Sequence, residues 1–246
     1  MPIAPDENDP QAIIDRIDAA FTPRTRVLSV SHILSSTGLR MPVADLCALA
    51  RSRACIAVVD GAQATGTGPI DVKQVGCHVY ASSGHKWLLG PPGTGFLYLC
   101  EELADTVDPI ALQSGRAAYS ASSGTRSLPN LLGLGAALEY LSAIGLERVE
   151  AHNHELRRQL YEALLRVPRI RIVSGAAGPL ASSMVTYRLP EEVDSGALHR
   201  RMREQRKIEL KVVPRNWFNG HRVSLHLFNS EEDVEALVEG LRGELG

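Results

Sequence analysis

Cysteine is scarce in this chain. There are four in 246 residues, Cys47, Cys55, Cys77 and Cys100, and no two form a C-x-x-C pair. Each lies in or beside an apolar segment, so buried free thiols are expected, and neither a disulfide framework nor a zinc site. Charge imbalance is also missing. A net charge of −2 supplies no electrostatic pull towards nucleic acid or an anionic membrane. No apolar run approaches bilayer-spanning length, and the opening MPIAPDENDP is acidic with no apolar centre, unlike a signal peptide. Cytoplasmic residence is the expectation, with no nucleic-acid or membrane partner. What remains is ordinary for a globular protein: 44% hydrophobic residues, 22% charged, and enough chain to bury a full core.

The chemistry concentrates in residues 58–95. A β-branched run, Ile56, Val58 and Val59, ends on Asp60 and is followed at once by Gly61. Further on come Ser82-Ser83-Gly84-His85-Lys86-Trp87, a Gly/Pro-rich turn, and a second apolar run from Phe96. The gap from Asp60 to Lys86 accommodates one βαβ-type excursion. An acid at a strand end, with a lysine among small polar residues, suits a pyridoxal phosphate site. There a carboxylate keeps the pyridine nitrogen protonated and a lysine forms the Schiff base. The Gly90-Pro91-Pro92-Gly93-Thr94-Gly95 turn imitates the start of a nucleotide P-loop. Phe96 and Leu97 stand where Lys and Ser/Thr would be required, so it is read as a turn letting the backbone pass the lysine closely.

Three blocks, VVDGAQATG, IDVKQVGCHVYASSGHKW and GPPGTGFLYL, together resemble the class V aminotransferase family. That family is a fold-type I group holding cysteine desulfurases, isopenicillin N epimerase-like proteins and several lyases. The resemblance runs from about Thr22 to the C-terminus. It implies Asp60 on the pyridine nitrogen, Gln63 near the ring hydroxyl, Ser83 and His85 on the phosphate, and Lys86 as the cofactor lysine. It also implies a homodimer, with Thr125 of the Gly124-Thr125 pair reaching the phosphate in the neighbouring subunit. Arg222, in the block RVSLHLFN, is implied to grip a substrate α-carboxylate, which a planar two-pronged donor suits. Ser35 stands where relatives often place an Asn near the cofactor, and a serine can still donate a hydrogen bond. His78 replaces an Asp of the family pattern, which bears on fold support.

Alternating strands and helices predict parallel βαβ units over the first part: strands at 26–32 and 55–59, and helices beginning near Pro10 and Pro42. Ligands in such sheets sit beyond the carboxyl ends of the strands, where His32, Asp60 and the Lys86 loop fall. A helix is expected over 129–144. From Gly145 the pattern changes to a long amphipathic helix with Leu156, Leu160 and Leu164. Short strands near 169–173, 183–189, 208–213 and 222–228 follow, with helices from Asp194 and from Ser230. The expected fold is α/β: a partial fold-type I large domain with a mostly parallel sheet over 1–144, and a C-terminal α+β small domain over 145–246. His152 and His154, two apart on a helix, point to different faces and predict no metal site.

The implied activity starts from an amino acid and a carbanion at Cα, leading to epimerisation, transamination or carbon–sulfur lysis. A persulfide-forming desulfurase needs a mobile cysteine between the last strands, and no cysteine follows Cys100. The resemblance also implies a further N-terminal part of the large domain. A second expectation is therefore a non-catalytic homologue that docks to a partner chain.

Overall fold

The computed structural model describes residues 3, 7, 9–103, 127–175 and 177–246. It divides into two compact units. One comprises Ile17–His32 and Val43–Leu146, the other Met1–Arg16, Ile33–Pro42 and Glu147–Gly246.

The first unit is built on four strands: β1 (Val27–Ser31), β2 (Ile56–Asp60), β3 (Val79–Ser83) and β4 (Gly95–Leu99). They lie in that order, the first three parallel and β4 antiparallel to β3. The register sets Ser31 beside Asp60 and Asp60 beside Ala81, so the carboxyl ends of the three parallel strands are level. Helix α1 (Pro10–Asp18), which falls in the other unit as far as Arg16, opens as expected on Asp9, whose carboxylate accepts from the Gln11 amide at 2.9 Å. Helix α2 (Val43–Ser52) buries Val43, Leu46, Cys47 and Ala50 and packs on β2. The link from β2 to β3 holds one helical turn, α3 (Val72–Val75). Asp71 caps its start and Gly76 ends it with φ +70°, a left-handed conformation that favours glycine. His78 follows. Its Nδ1 accepts a hydrogen bond from the Ala57 amide at 2.9 Å, a task that a carboxylate oxygen could equally perform. Helix α4 (Leu128–Ile144) starts at Ser127, whose side chain accepts from the Asn130 amide.

The second unit holds α5 (Leu146–Leu164), β5 (Arg171–Ile172), β6 (Met184–Arg188), α6 (Ser195–Arg206), β7 (Lys211–Val212), β8 (Gly220–Ser224) and α7 (Glu231–Leu245). Its sheet runs β5-β6-β8-β7, with every neighbouring pair antiparallel. The helices bury Leu156, Leu160, Leu198, Met202, Leu237 and Leu241 with Val185, Tyr187 and Val223 of the sheet. The strand expected over 222–228 begins earlier and stops at Ser224. Gly220 lets the chain start sooner, since a Cβ there would lie 2.1 Å from the Tyr187 carbonyl oxygen. Beyond Leu225, Asn229 closes a turn by accepting from the His226 amide at 3.0 Å.

The segment 33–42 follows β1 in sequence yet belongs to this second unit. Ser174 Oγ donates to the Thr37 carbonyl (2.6 Å), Ser182 Oγ to the Gly38 carbonyl (2.5 Å), and the Arg40 amide to the Leu180 carbonyl (2.9 Å). Gly38, at φ +72°, makes this possible, because a Cβ there would sit 2.7 Å from the Met184 Cβ. A cut of the linear chain at 144/145 would leave the segment with the parallel sheet.

Candidate active site

Asp60 ends β2, where its carbonyl accepts from the His32 amide (2.8 Å) and the next amide, of Gly61, donates to the Ala81 carbonyl (2.8 Å) before the chain turns. Its side chain is exposed beyond the sheet, and Oδ1 accepts from the Ala62 amide at 2.9 Å, which restricts its orientation. Gly61 lets the chain leave the strand there. A Cβ at Gly61 would lie 2.0 Å from the Tyr80 ring. Tyr80 is buried on the neighbouring strand and its hydroxyl lies 2.9 Å from His32 Nδ1. Sequence reasoning placed His32 at a strand end. The Tyr80 contact arises from register between β1, β2 and β3, where Tyr80 stands opposite Val59, and no local sequence signal points to it.

Lys86 and His85 are exposed on a turn between two anchors. Gly84 donates to the Thr94 carbonyl and Gly90 to the Gly84 carbonyl, both at 2.8 Å, while Trp87 is buried. Leu89 closes the turn at φ +60°. Trp87 also joins the turn to the Asp60 loop. Its indole Nε1 donates to Gln63 Oε1 at 3.0 Å. Indole nitrogen only donates, so the Gln63 oxygen is committed and its amide NH2 is the end left to donate elsewhere. Gly66, at φ +100°, packs on the same residue, and a Cβ there would lie 2.4 Å from the Trp87 carbonyl oxygen. Ser83 ends β3 opposite Gly95, within the same cluster of strand ends. Asp60, Gln63, Ser83, His85 and Lys86 are thus carried by one sheet end and two cross-braced loops. Thr125 lies outside the described residues.

Arg222 and Ser35 meet in the second unit. Arg222 Nη1 donates to the Ser35 carbonyl, so it is the backbone of Ser35 that holds the arginine. The guanidinium Nε is buried without a hydrogen-bond partner, and burial pushes the arginine pKa down. Among the described residues no carboxylate pairs with it. A desolvated guanidinium held by one neutral acceptor favours an incoming anion.

The cysteines are free and buried, and burial pushes the Cys47 thiol up to about 12 and raises Cys77 as well. Neither is a ready nucleophile. No group of three or more metal-ligating side chains exists among the described residues, and none of their helices is long and apolar enough to cross a membrane.

The residues fit pyridoxal phosphate. Asp60 offers an acid for a ring nitrogen, Gln63 an amide donor for a ring oxygen, and the turn at 84–90 an amine. Gly84 is so close to Thr94 that a Cβ would lie 2.4 Å from its hydroxyl. Such a strand-end arrangement in a mostly parallel sheet defines an α/β protein of the fold-type I kind.

The chain belongs to the class-V aminotransferase family, whose profile matches residues 2–237. It is 33% identical over 261 residues to the isopenicillin N epimerase of Amycolatopsis lactamdurans, covering 98% of this chain and 65% of that protein. It is 33% identical over 251 residues to a cysteine desulfurase of Klebsiella pneumoniae (strain 342), covering 93% of this chain and 61% of that one. The apo cysteine desulfurase of Thermococcus onnurineus NA1 superposes with a TM-score of 0.86 at 24% identity, over 100% of this chain and 65% of that structure. The chain therefore spans a little under two thirds of these proteins.

Proposed function

We propose that this chain binds pyridoxal 5'-phosphate and acts on the α-carbon of an amino acid. The observation that carries the reading is Asp60 at the carboxyl end of β2, with Gln63 three residues on bound to Trp87, the chain neighbour of Lys86. When bound, the cofactor supplies an electron sink for charge that develops at Cα. Asp60, as a carboxylate, holds a proton on the ring nitrogen and so strengthens that sink. Ser83 and His85 anchor the phosphate. Lys86 would tether the cofactor and, once the substrate amine has displaced it and freed its Nζ, would take the Cα proton as base. Arg222 orients the substrate carboxylate. Return of the proton to the opposite face of Cα would give epimerisation, its delivery elsewhere transamination, and departure of a β-substituent with the electron pair elimination. The lack of a cysteine between Lys207 and His221 argues against a persulfide route. A cytoplasmic homodimer, with Thr125 reaching across to the other subunit's phosphate, belongs to the same reading.

Covalent trapping tests it. Incubation with pyridoxal phosphate should give an absorption band at roughly 420 nm. Borohydride should then fix the added mass on the peptide containing Lys86, and Lys86→Ala should lose both signals while keeping its far-ultraviolet circular dichroism. A label on another lysine, or no label, would overturn the proposal.

A further inference from the structure

The antiparallel sheet of the second unit has two unlike faces. Paired residues in such a sheet share a face, and side chains alternate along each strand. Ile172, Val185, Tyr187 and Val223 lie on the face that the helices cover. The register puts Arg171 opposite Arg188, Thr186 opposite Arg222, and Arg222 opposite Lys211, all on the other face. Met184, Gly220 and Ser224 complete it, so its strand positions carry four cations and no acid.

These cations have different neighbours. Arg188 lies over the Phe218 ring, 4.7 Å from its centroid. Arg222 is held by the Ser35 carbonyl, with its Nε buried and unpartnered. Lys211 is exposed, and among the described residues no carboxylate reaches it. The nearest acid in sequence, Glu209, is engaged by α6: it accepts from His199 Nε2 at 2.8 Å and pairs with Arg203 at 3.2 Å. Like charges directly opposite one another weaken a strand pairing. Lys211 and Arg222 stand in that relation, with side chains rooted about 5 Å apart. An anion with a charged group at each end would offset the repulsion, one end on the guanidinium fork and the other on the ammonium.

We propose that Lys211 and Arg222 together hold a dicarboxylate, and that the amino acid on which this chain acts carries a second carboxylate in its side chain. Arg222 takes the α-carboxylate and Lys211 the side-chain one, which makes Lys211 a specificity-determining residue. The assignment of the substrate rests on the cofactor reading. Binding of a dicarboxylate does not, and either can fail without the other.

The test titrates the 246-residue chain, without cofactor, with glutarate and with butyrate, and follows amide chemical shifts. Glutarate should bind roughly threefold to fivefold more tightly, the modest gain an exposed ammonium gives. Lys211→Gln should cut that preference at least by half, while Lys211→Arg should keep it. Arg222→Gln should weaken both ligands. Arg200→Gln, exposed on α6, should leave the preference unchanged, which separates a local site from net charge. Three results would overturn the binding proposal: no preference for glutarate, a preference that survives Lys211→Gln, or an equal loss of both ligands in that variant, which would place both cations on one carboxylate. In the cofactor-loaded chain, glutamate should perturb the cofactor band at a lower concentration than 2-aminobutyrate. The reverse order would overturn the substrate assignment alone, and failure to take up pyridoxal phosphate would overturn the cofactor reading and that assignment with it, leaving the titration to stand by itself.

Discussion

Arg222 illustrates how much one side chain depends on where it is desolvated. A guanidinium on a strand costs little in water, but here its Nε is buried unpaired and its only described partner is the Ser35 carbonyl. An incoming carboxylate would relieve that cost. Arg222→Lys keeps the charge and loses the planar two-pronged donor. If the assigned activity is present, KM for the amino acid should rise roughly tenfold to a hundredfold, as for losing a charge-assisted hydrogen bond. The cofactor band should be unaffected, and loss of that band instead would mean the arginine serves the fold. From sequence, Arg222 could be singled out only through its matched block, because its partner lies 187 positions away. Lys86 and Asp60 were more legible, since strand-end chemistry is written in adjacent residues.

At the scale of elements, the bracing between the 61–67 loop and the Lys86 turn depends on missing side chains. Gly66→Ala combines a φ of +100° with a methyl 2.4 Å from the Trp87 carbonyl, and backbone cannot give way cheaply. A loss of roughly 2–3 kcal/mol is expected. Gly76→Ala makes the comparison. Its φ is +70°, but nothing lies within 4 Å, so only the conformational cost of about 1 kcal/mol applies. Urea midpoints of the two variants should separate accordingly, and equal shifts would mean that the contact with Trp87 carries no weight. Helices and most strands were readable because apolar spacing sets them. The ends of β8 were not, because the Tyr187 approach at Gly220 and the Asn229 turn are tertiary contacts.

For the molecule as a whole, buried histidines set the response to acid. His221 is fully buried. Its Nε2 lies 2.8 Å from the Ser195 carbonyl, so Nε2 carries the proton and Nδ1 accepts from the Tyr187 hydroxyl at 3.1 Å. Burial pushes its pKa below the usual 6.5, and burial does the same at His78 and His154. The unfolded chain therefore binds protons more readily than the native one. Stability is complete above pH 6.5 and falls as the pH drops towards the lowered native values. Melting temperatures should fall between pH 7.5 and 5.5, and His221→Asn should flatten the slope. A slope unchanged by that variant would place the sensitivity elsewhere.

The sequence alone determined the α/β character, the strand ending on Asp60, the Lys86 turn and the change of pattern near Gly145. All of these follow from local periodicity and from residue chemistry within a few positions. Only the tertiary structure decided that Gln63 is steered by Trp87, that Tyr80 backs Gly61, and that residues 33–42 leave the parallel sheet to hold Arg222 through Ser35. Those pairings join residues far apart in the chain, and whether they meet depends on strand register and on glycines that let backbones touch.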